Sequence, residues 1–129
     1  MRIETSYASP LVMKEMIITN GSFKRTEGSL DDVELGIHVS KKIEDLAANE
    51  YKVILELKVS DANEKLSVYV QGMAKFETAQ TNRELIEKNT VAIMFPYLRS
   101  YVSLLTTQPG MSPIVLPAMN IAAMLRENP

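Results

Sequence analysis

The sequence predicts an α+β fold of one domain, residues 1–129, in which four antiparallel strands are followed by helices. Four segments before residue 78 are rich in β-formers or alternate apolar and polar residues, as strands do. The apolar spacing of a long helix begins only at residue 91. Strands that precede the helices, instead of alternating with them, favour an antiparallel layer architecture over a parallel βαβ sheet. A length of 129 residues suits a single core.

The first two strands are predicted at Leu11–Phe23 and Val33–Ser40. The first segment is rich in β-formers, and its Asn20-Gly21 pair signals a bend or bulge. In the second segment every other residue is apolar, which predicts a buried face formed by Val33, Leu35, Ile37 and Val39.

The next two strands are predicted at Tyr51–Ser60 and Leu66–Glu77, on either side of a turn. Gly72 indicates a bulge or a close approach of another element. The inward face of the third strand is predicted to be Val53, Leu55, Leu57 and Val59, and that of the fourth Leu66, Val68, Val70, Gly72, Ala74 and Phe76.

The long helix is predicted from residue 91 to residue 105. The polar residues 81–90 before it predict a short helix or structured loop, with Thr81 or Asn82 as N-cap. Pro96 is tolerated if it lies near the first turn, and otherwise predicts a kink at Phe95. The stripe that would cover the sheet is Val91, Met94, Phe95, Leu98, Val102 and Leu105.

A second side of this helix also carries large apolar residues, and one sheet cannot bury both sides. We therefore expect a homo-oligomer in which other subunits cover the second side. Besides Ser100, this side consists of the predicted interface residues Ile93, Tyr97, Tyr101 and Leu104.

The C-terminal region is predicted to be extended and then helical. Three prolines up to Pro117 favour extended chain, and Asn120 is a plausible N-cap for a short helix with Ile121, Met124 and Leu125. Met111, Met119 and Met124 lie in or next to this region, and their flexible thioethers suit adaptable apolar contacts.

The composition excludes several classes of function. A net charge of −2 with scattered Lys and Arg gives no basic footprint for nucleic acid. The absence of cysteine excludes disulfides, thiolate metal sites and thiol nucleophiles. The longest apolar region falls short of the roughly 20 residues that cross a bilayer. The first ten residues lack the apolar core of a signal peptide, so we expect a cytoplasmic protein.

Motifs for catalysis or cofactor binding are also missing from the sequence. His38 is the single histidine and is expected to face solvent from the second strand. No nucleotide-binding glycine motif and no nucleophile–base constellation occurs. We therefore expect no enzyme activity, no metal and no cofactor.

Three short motifs near the C-terminal end carry a family signature. Residues 95–99 read FPYLR, Gly110 and Pro113 with Ile114 and Leu116 follow, and residues 120–125 read NIAAML. They resemble the FPYAR helix start, the Gly-Pro crossover and the NFDALF helix of SecB-type export chaperones. The order of four strands, long helix, crossover and short helix is similar to that family over residues 11–126.

The resemblance implies a Greek-key sheet with the long helix and the short C-terminal helix on one face. It also implies dimers that pair into a tetramer, and ATP-independent capture of unfolded polypeptides, including precursors for export, in apolar grooves. By the same resemblance, the residues that bind clients would be Phe23, Leu30, Met111, Ile114, Leu116, Met119, Ile121 and Met124.

Other interpretations stay open at this point. The family's extended acidic C-terminal tail and the tryptophan of its first crossover have no counterpart in this sequence, which leaves docking on the Sec translocase motor open. A SecB-fold adaptor for one dedicated partner, such as a toxin–antitoxin component, fits the same residues. So does an α+β domain that binds or converts a small molecule in a groove with Tyr97 and Tyr101.

Overall fold

The structure, a computed structural model, describes residues 10–127 and confirms the α+β class. Four strands come first and two helices follow, in the order that the sequence predicts. The strands are β1 (Val12–Arg25), β2 (Gly36–Ala47), β3 (Glu50–Ser60) and β4 (Leu66–Glu77), and the helices are α1 (Arg83–Leu105) and α2 (Ile121–Glu127).

The four strands form one antiparallel sheet in the order β1-β4-β3-β2. Hairpins join β2, β3 and β4, whereas β1 reaches β2 through the first crossover, residues 26–35. This arrangement is a Greek key. It leaves β1 and β2 as the two edges of the sheet.

The inward faces of β3 and β4 form the centre of the core, as predicted. Both strands alternate strictly between buried and partly exposed residues over most of their length. The predicted close approach at Gly72 is confirmed, because a Cβ there would lie 2.9 Å from both the Leu98 Cδ1 and the Met16 Cε. The register of β1 also shifts between Ile18 and Asn20, beside this glycine. The predicted bulge near Asn20 is therefore present.

Helix α1 lies on the inward face of the sheet through the predicted stripe. Val91, Met94, Phe95, Leu98 and Val102 are buried there, and Leu105 is half-buried against the same core.

The start of α1 differs from the prediction. Residues 83–90 are not a separate connector but the first turns of one helix, which begins after the predicted N-cap Asn82. These turns look polar in sequence because they need to bury little more than Ile86 and Thr90. Pro96 therefore lies in the helix interior and not near the first turn, which is the case for which the sequence predicts a kink. The kink at Phe95 stays a prediction.

Strand β2 also differs from its predicted bounds. Val33 and Leu35 lie in the first crossover, and the strand continues to Ala47. The sequence pattern hid this continuation because an inward position is taken by Lys41 instead of an apolar residue. Its ammonium group lies 2.8 Å from a carboxylate oxygen of Glu87 on α1, which compensates the charge inside the fold.

The second crossover, residues 106–120, and α2 follow the prediction. Residues 112–120 form no regular secondary structure, and the Ala123 N–H donates to the Asn120 side-chain oxygen at 3.0 Å. This bond confirms Asn120 as N-cap. No residue of α2 is fully buried, although Ile121, Met124 and Leu125 pack against the core.

Candidate functional site

The second crossover is fixed to the end of α1 through both backbone groups of Ile114. Its N–H donates to the Thr106 hydroxyl at 2.8 Å, and its carbonyl accepts from the Ser103 hydroxyl at 2.7 Å. The Thr106 hydroxyl in turn donates to the Val102 carbonyl at 2.8 Å. Ser103 in the last turn of α1 and Thr106, the C-cap of that helix, therefore determine where the crossover runs.

The first crossover is fixed by Arg25, the last residue of β1. Its guanidinium donates to the Thr26 carbonyl at 2.8 Å and to the Gly28 carbonyl at 2.7 Å. A longer bond of 3.5 Å reaches the Gly110 carbonyl in the second crossover. Arg25 therefore ties together the two segments that form the walls of the adjacent cavity.

That cavity has a volume of about 630 Å³ and lies between the two crossovers. Leu30 and Val33 line it from the first crossover, and Met111 and Ile114 line it from the second. Leu66 of β4 is also part of its lining.

Two further depressions follow along β2. The first, of about 260 Å³, lies between Ile37 and Val39 of the strand and Met119 and Met124. The second, of about 500 Å³, contains the Lys41–Glu87 ion pair together with Leu125 of α2. We name this row of three the β2 trough. One wall is formed in chain order by Val33, Leu35, Ile37, Val39 and Lys41.

The structure brings together five of the eight residues predicted to bind clients. Leu30, Met111 and Ile114 line the first part of the β2 trough, and Met119 and Met124 line the second. The other three lie outside its lining: Phe23 and Ile121 are partly buried against the core, and Leu116 is buried in it.

The predicted interface residues lie on the opposite edge of the molecule, where α1 faces β1. Tyr97, Tyr101 and Leu104 line a cavity of about 560 Å³ that also contains Met13 and Met16. Tyr97 is 49% exposed and Leu104 is 65% exposed. Ile93 lies apart from them, in a cavity with Leu11 and Leu85.

Tyr101 of this group also packs on its own sheet. A Cβ at Gly21 would lie 2.6 Å from the Tyr101 Cε1, so the ring sits directly over that glycine. The packing of Tyr101 explains why β1 carries a glycine at an inward position.

Sequence reasoning missed Arg25, Ser103 and Thr106. An arginine at a strand end and hydroxyls in the last turns of a helix usually contact water. Here Arg25 bonds the Gly110 carbonyl, 85 residues away, and Ser103 and Thr106 bond the backbone of Ile114, which is 11 and 8 residues away. Only the folded topology brings those groups within reach.

The described part of the chain contains no cluster of side chains placed to bind a metal ion. Within residues 10–127 no group of three or more His, Asp or Glu side chains is placed to hold a metal ion. His38 is exposed on the outward face, as expected. No helix in the same range is long and apolar enough to cross a membrane.

Comparison with known protein families shows to which family the chain belongs. The model of the family described as preprotein translocase subunit SecB matches residues 15–129. The chain belongs to the SecB family. This SecB-family chain is 29% identical, over 105 aligned residues, to the uncharacterised protein MJ0357 of Methanocaldococcus jannaschii, covering 74% of this chain and 68% of the relative.

Solved structures show the same fold at low sequence identity. One is the Rv1957 SecB-like chaperone of Mycobacterium tuberculosis in complex with a ChAD peptide from the Rv1956 HigA1 antitoxin. Its TM-score is 0.69 and its identity 12%, with 85% of this chain and 88% of the other covered. The other is a protein of unknown function from Streptococcus agalactiae, with a TM-score of 0.50, 10% identity and coverage of 84% and 97%.

Proposed function

We propose that this SecB-family chain is an ATP-independent chaperone that holds unfolded or extended polypeptides, including precursors for protein export. The observation that carries the proposal is the β2 trough, which follows an edge strand. Apolar side chains of two crossovers and α2 contribute to its lining, and charged residues of the first crossover and of α1 border its two larger parts. The SecB-like chaperone of the same fold is seen in complex with a peptide. The family and this neighbour support chaperone or adaptor activity.

The side chains in the trough suit clients of varied sequence. Met111, Met119 and Met124 contribute to its lining. Unbranched thioethers repack around ligands of different shape. Burial of apolar client surface contributes about 25 cal/mol per Å², and this contribution requires no sequence code and no nucleotide. The proposal therefore includes no reaction and no cofactor.

The exposed side of α1 supports a homo-oligomer, either a dimer or a dimer of dimers. Tyr97, Tyr101 and Leu104 line one cavity together with Met13 and Met16 of β1, and Tyr97 and Leu104 are exposed. An identical copy would cover this surface through a self-complementary interface. The trough lies along the other edge of the sheet, so an assembly through α1 and β1 would leave it open to clients.

The proposed setting is the cytoplasm, where such a chaperone meets polypeptides before they fold. Client binding does not require handover to the Sec translocase motor. It can therefore be tested with the purified chain alone.

An adaptor dedicated to one partner is the second candidate, and a specific observation favours it. The SecB-like chaperone that shares this fold is in complex with a peptide from an antitoxin. In a dedicated adaptor, the same trough would fit one sequence far better than all others.

Competition binding separates the two candidates. A fluorescent, permanently unfolded protein is bound to the purified chain, and three unrelated unfolded proteins are added as competitors without nucleotide. If the chain is a general chaperone, all three competitors displace the labelled protein at similar concentrations. If it is a dedicated adaptor, it binds none of these proteins and pulls down one tightly bound partner from cells. If neither behaviour is found, the proposed function is wrong.

A further inference from the structure

Methionines are concentrated at the β2 trough. The sequence contains eight methionines, and three of them line the trough, Met111 in its first part and Met119 and Met124 in its second. The second part has a volume of only about 260 Å³, so its two thioethers make up much of the apolar surface there. Whatever changes the polarity of these sulfur atoms changes the surface that the trough offers.

The three trough methionines are accessible to small molecules, whereas others are not. Each of the three is half-buried at the border of an open depression. Met94, by contrast, is 0% exposed in the core beneath α1. The Met16 Cε also packs against the sheet, 2.9 Å from the place that a Cβ at Gly72 would take. A small oxidant therefore reaches the sulfur atoms of the trough before it reaches that of Met94.

The sequence leaves methionine as the residue type whose sulfur can be oxidised, because it contains no cysteine. With hydrogen peroxide, a lone pair of the thioether sulfur attacks one peroxide oxygen. An S–O bond forms as the O–O bond breaks, and the other oxygen leaves with both protons as water. The sulfur is oxidised by two electrons to a sulfoxide, and the peroxide is reduced. Thiol-dependent reductases reverse the change, with two thiols becoming a disulfide and the oxygen leaving as water.

A sulfoxide in the trough opposes the binding of apolar surface. The S–O group is polar and accepts hydrogen bonds from water, and an apolar client side chain that covers it removes that water without replacing the bonds. The fold itself does not depend on these three side chains being enclosed, since no residue of α2 is fully buried and Met111 lies in a crossover. Oxidation should therefore change binding more than stability.

We propose that Met111, Met119 and Met124 are a reversible oxidation site that switches client binding off. The inference rests on the proposed function and adds its regulation. Peroxide-type oxidants convert the apolar part of the trough to a polar surface, and methionine sulfoxide reductases restore it. The same trough built from leucine would hold clients equally well but would not respond to oxidants.

Graded oxidation of the wild-type chain is the first test. The purified chain is treated with increasing hydrogen peroxide, the sulfoxides are located by mass spectrometry of peptides, and affinity for a fluescent unfolded protein is measured. We expect the trough methionines to be oxidised before Met94, and affinity to fall about tenfold or more while the circular dichroism spectrum is unchanged. Reductases for both sulfoxide epimers, with a thiol, should restore the affinity. Oxidation of Met94 at the same rate as the trough methionines would overturn the proposal.

Two matched triple variants show which sulfur atoms matter. The trough variant carries Met111→Leu, Met119→Leu and Met124→Leu, and we expect its affinity to change about twofold or less on peroxide treatment. The control variant carries Met13→Leu, Met16→Leu and Met73→Leu, and should lose affinity as the wild type does. Equal sensitivity of the two variants would contradict the proposal. If the trough variant does not fold, the wild-type oxidation series decides alone.

The outcomes also separate this inference from the proposed function. If the untreated chain binds unfolded proteins and still binds them when all three trough methionines are sulfoxides, only the oxidation switch is wrong. If the untreated chain binds no unfolded protein, the proposed function is wrong and the switch is wrong with it.

Discussion

The interior strands and the C-terminal segment are both rich in apolar residues, but they bury them very differently. On β3 and β4 the inward side chains from Val53 to Val59 and from Leu66 to Phe76 are at most 3% exposed. In residues 109–127 the only fully buried apolar side chain is Leu116, and α2 has none. Leu30, Met111 and Ile114 are half-buried around a cavity instead of being enclosed.

The difference shows how one small domain separates stability from binding. Removing even one methylene from closely packed side chains lowers the free energy of unfolding of the protein. The interior strands therefore tolerate little change. Half-buried side chains around a cavity keep room to move and still have apolar area to offer a partner. We expect substitutions in the first region to change stability and substitutions in the second to change binding.

The largest effect on stability is expected for Leu98→Ala at the contact between α1 and β4. Leu98 is fully buried and packs over Gly72, so the substitution leaves a cavity. The free energy of unfolding should fall by about 2–5 kcal/mol, as measured by urea denaturation. Client affinity at a temperature where the variant is folded should stay close to that of the wild type. A large loss of affinity in the folded variant would contradict the expectation that substitutions in the core change stability and not client binding.

Assembly should respond to Leu104→Asp. Leu104 is 65% exposed in the subunit, so the substitution should leave the fold intact. In an interface the new carboxylate would be desolvated without a partner, at a cost of about 3–5 kcal/mol. Light scattering at micromolar concentration should show an oligomer for the wild type and smaller species for the variant. A wild-type monomer at that concentration would contradict the predicted oligomer.

Client binding should respond most to Met119→Glu combined with Met124→Glu. Both side chains are half-buried in the trough, so we expect a loss of affinity for an unfolded protein of about tenfold or more. The free energy of unfolding should change by only about 1 kcal/mol. Val115→Glu is the matched control, because Val115 is 79% exposed in the same crossover. If the double variant unfolds while the control does not, these methionines belong to the core.

A small, pH-dependent effect is expected at the hairpin between β3 and β4. The Leu66 N–H donates to the Asp61 carboxylate at 3.0 Å, and this bond is the main reason that the pKa of Asp61 is lowered from 3.8. Folding therefore favours the ionised form, and the stabilisation is present at neutral pH and lost as the pH falls below about 4.

Asp61→Asn measures this contribution. The wild type should be the more stable of the two in thermal melts at pH 7, and the difference should shrink as the pH falls from about 4 towards the folded pKa. Client affinity at pH 7 should not change. A difference in stability that is constant from pH 7 to acid would show that the carboxylate charge does not matter there.

Sequence patterns predicted the fold where burial alone determines the residue type. The inward faces of β3 and β4, the stripe on α1 and the N-cap Asn120 are each specified by neighbours in the chain. The bounds of β2 were missed because Lys41 takes an inward position and is compensated by Glu87, which is distant in sequence.

The candidate site was predicted less completely, and for the same reason. Met119 and Met124 were identified by their type and by the resemblance, and they do line the trough. Arg25 was missed because its role depends on the carbonyl of Gly110, which only the folded chain brings near. Nothing in the sequence distinguishes Leu116 from the other residues predicted to bind clients, but its side chain lies in the core.

The proposed function depends on the β2 trough holding unfolded polypeptides without nucleotide. The most direct test is the light scattering of an unrelated, heat-denatured protein as it aggregates, with equimolar purified chain and no ATP. We expect the wild type and Val115→Glu to suppress the scattering, and Met119→Glu with Met124→Glu to suppress it far less. Aggregation that proceeds equally with and without the wild type, for several unrelated proteins, would contradict the claim.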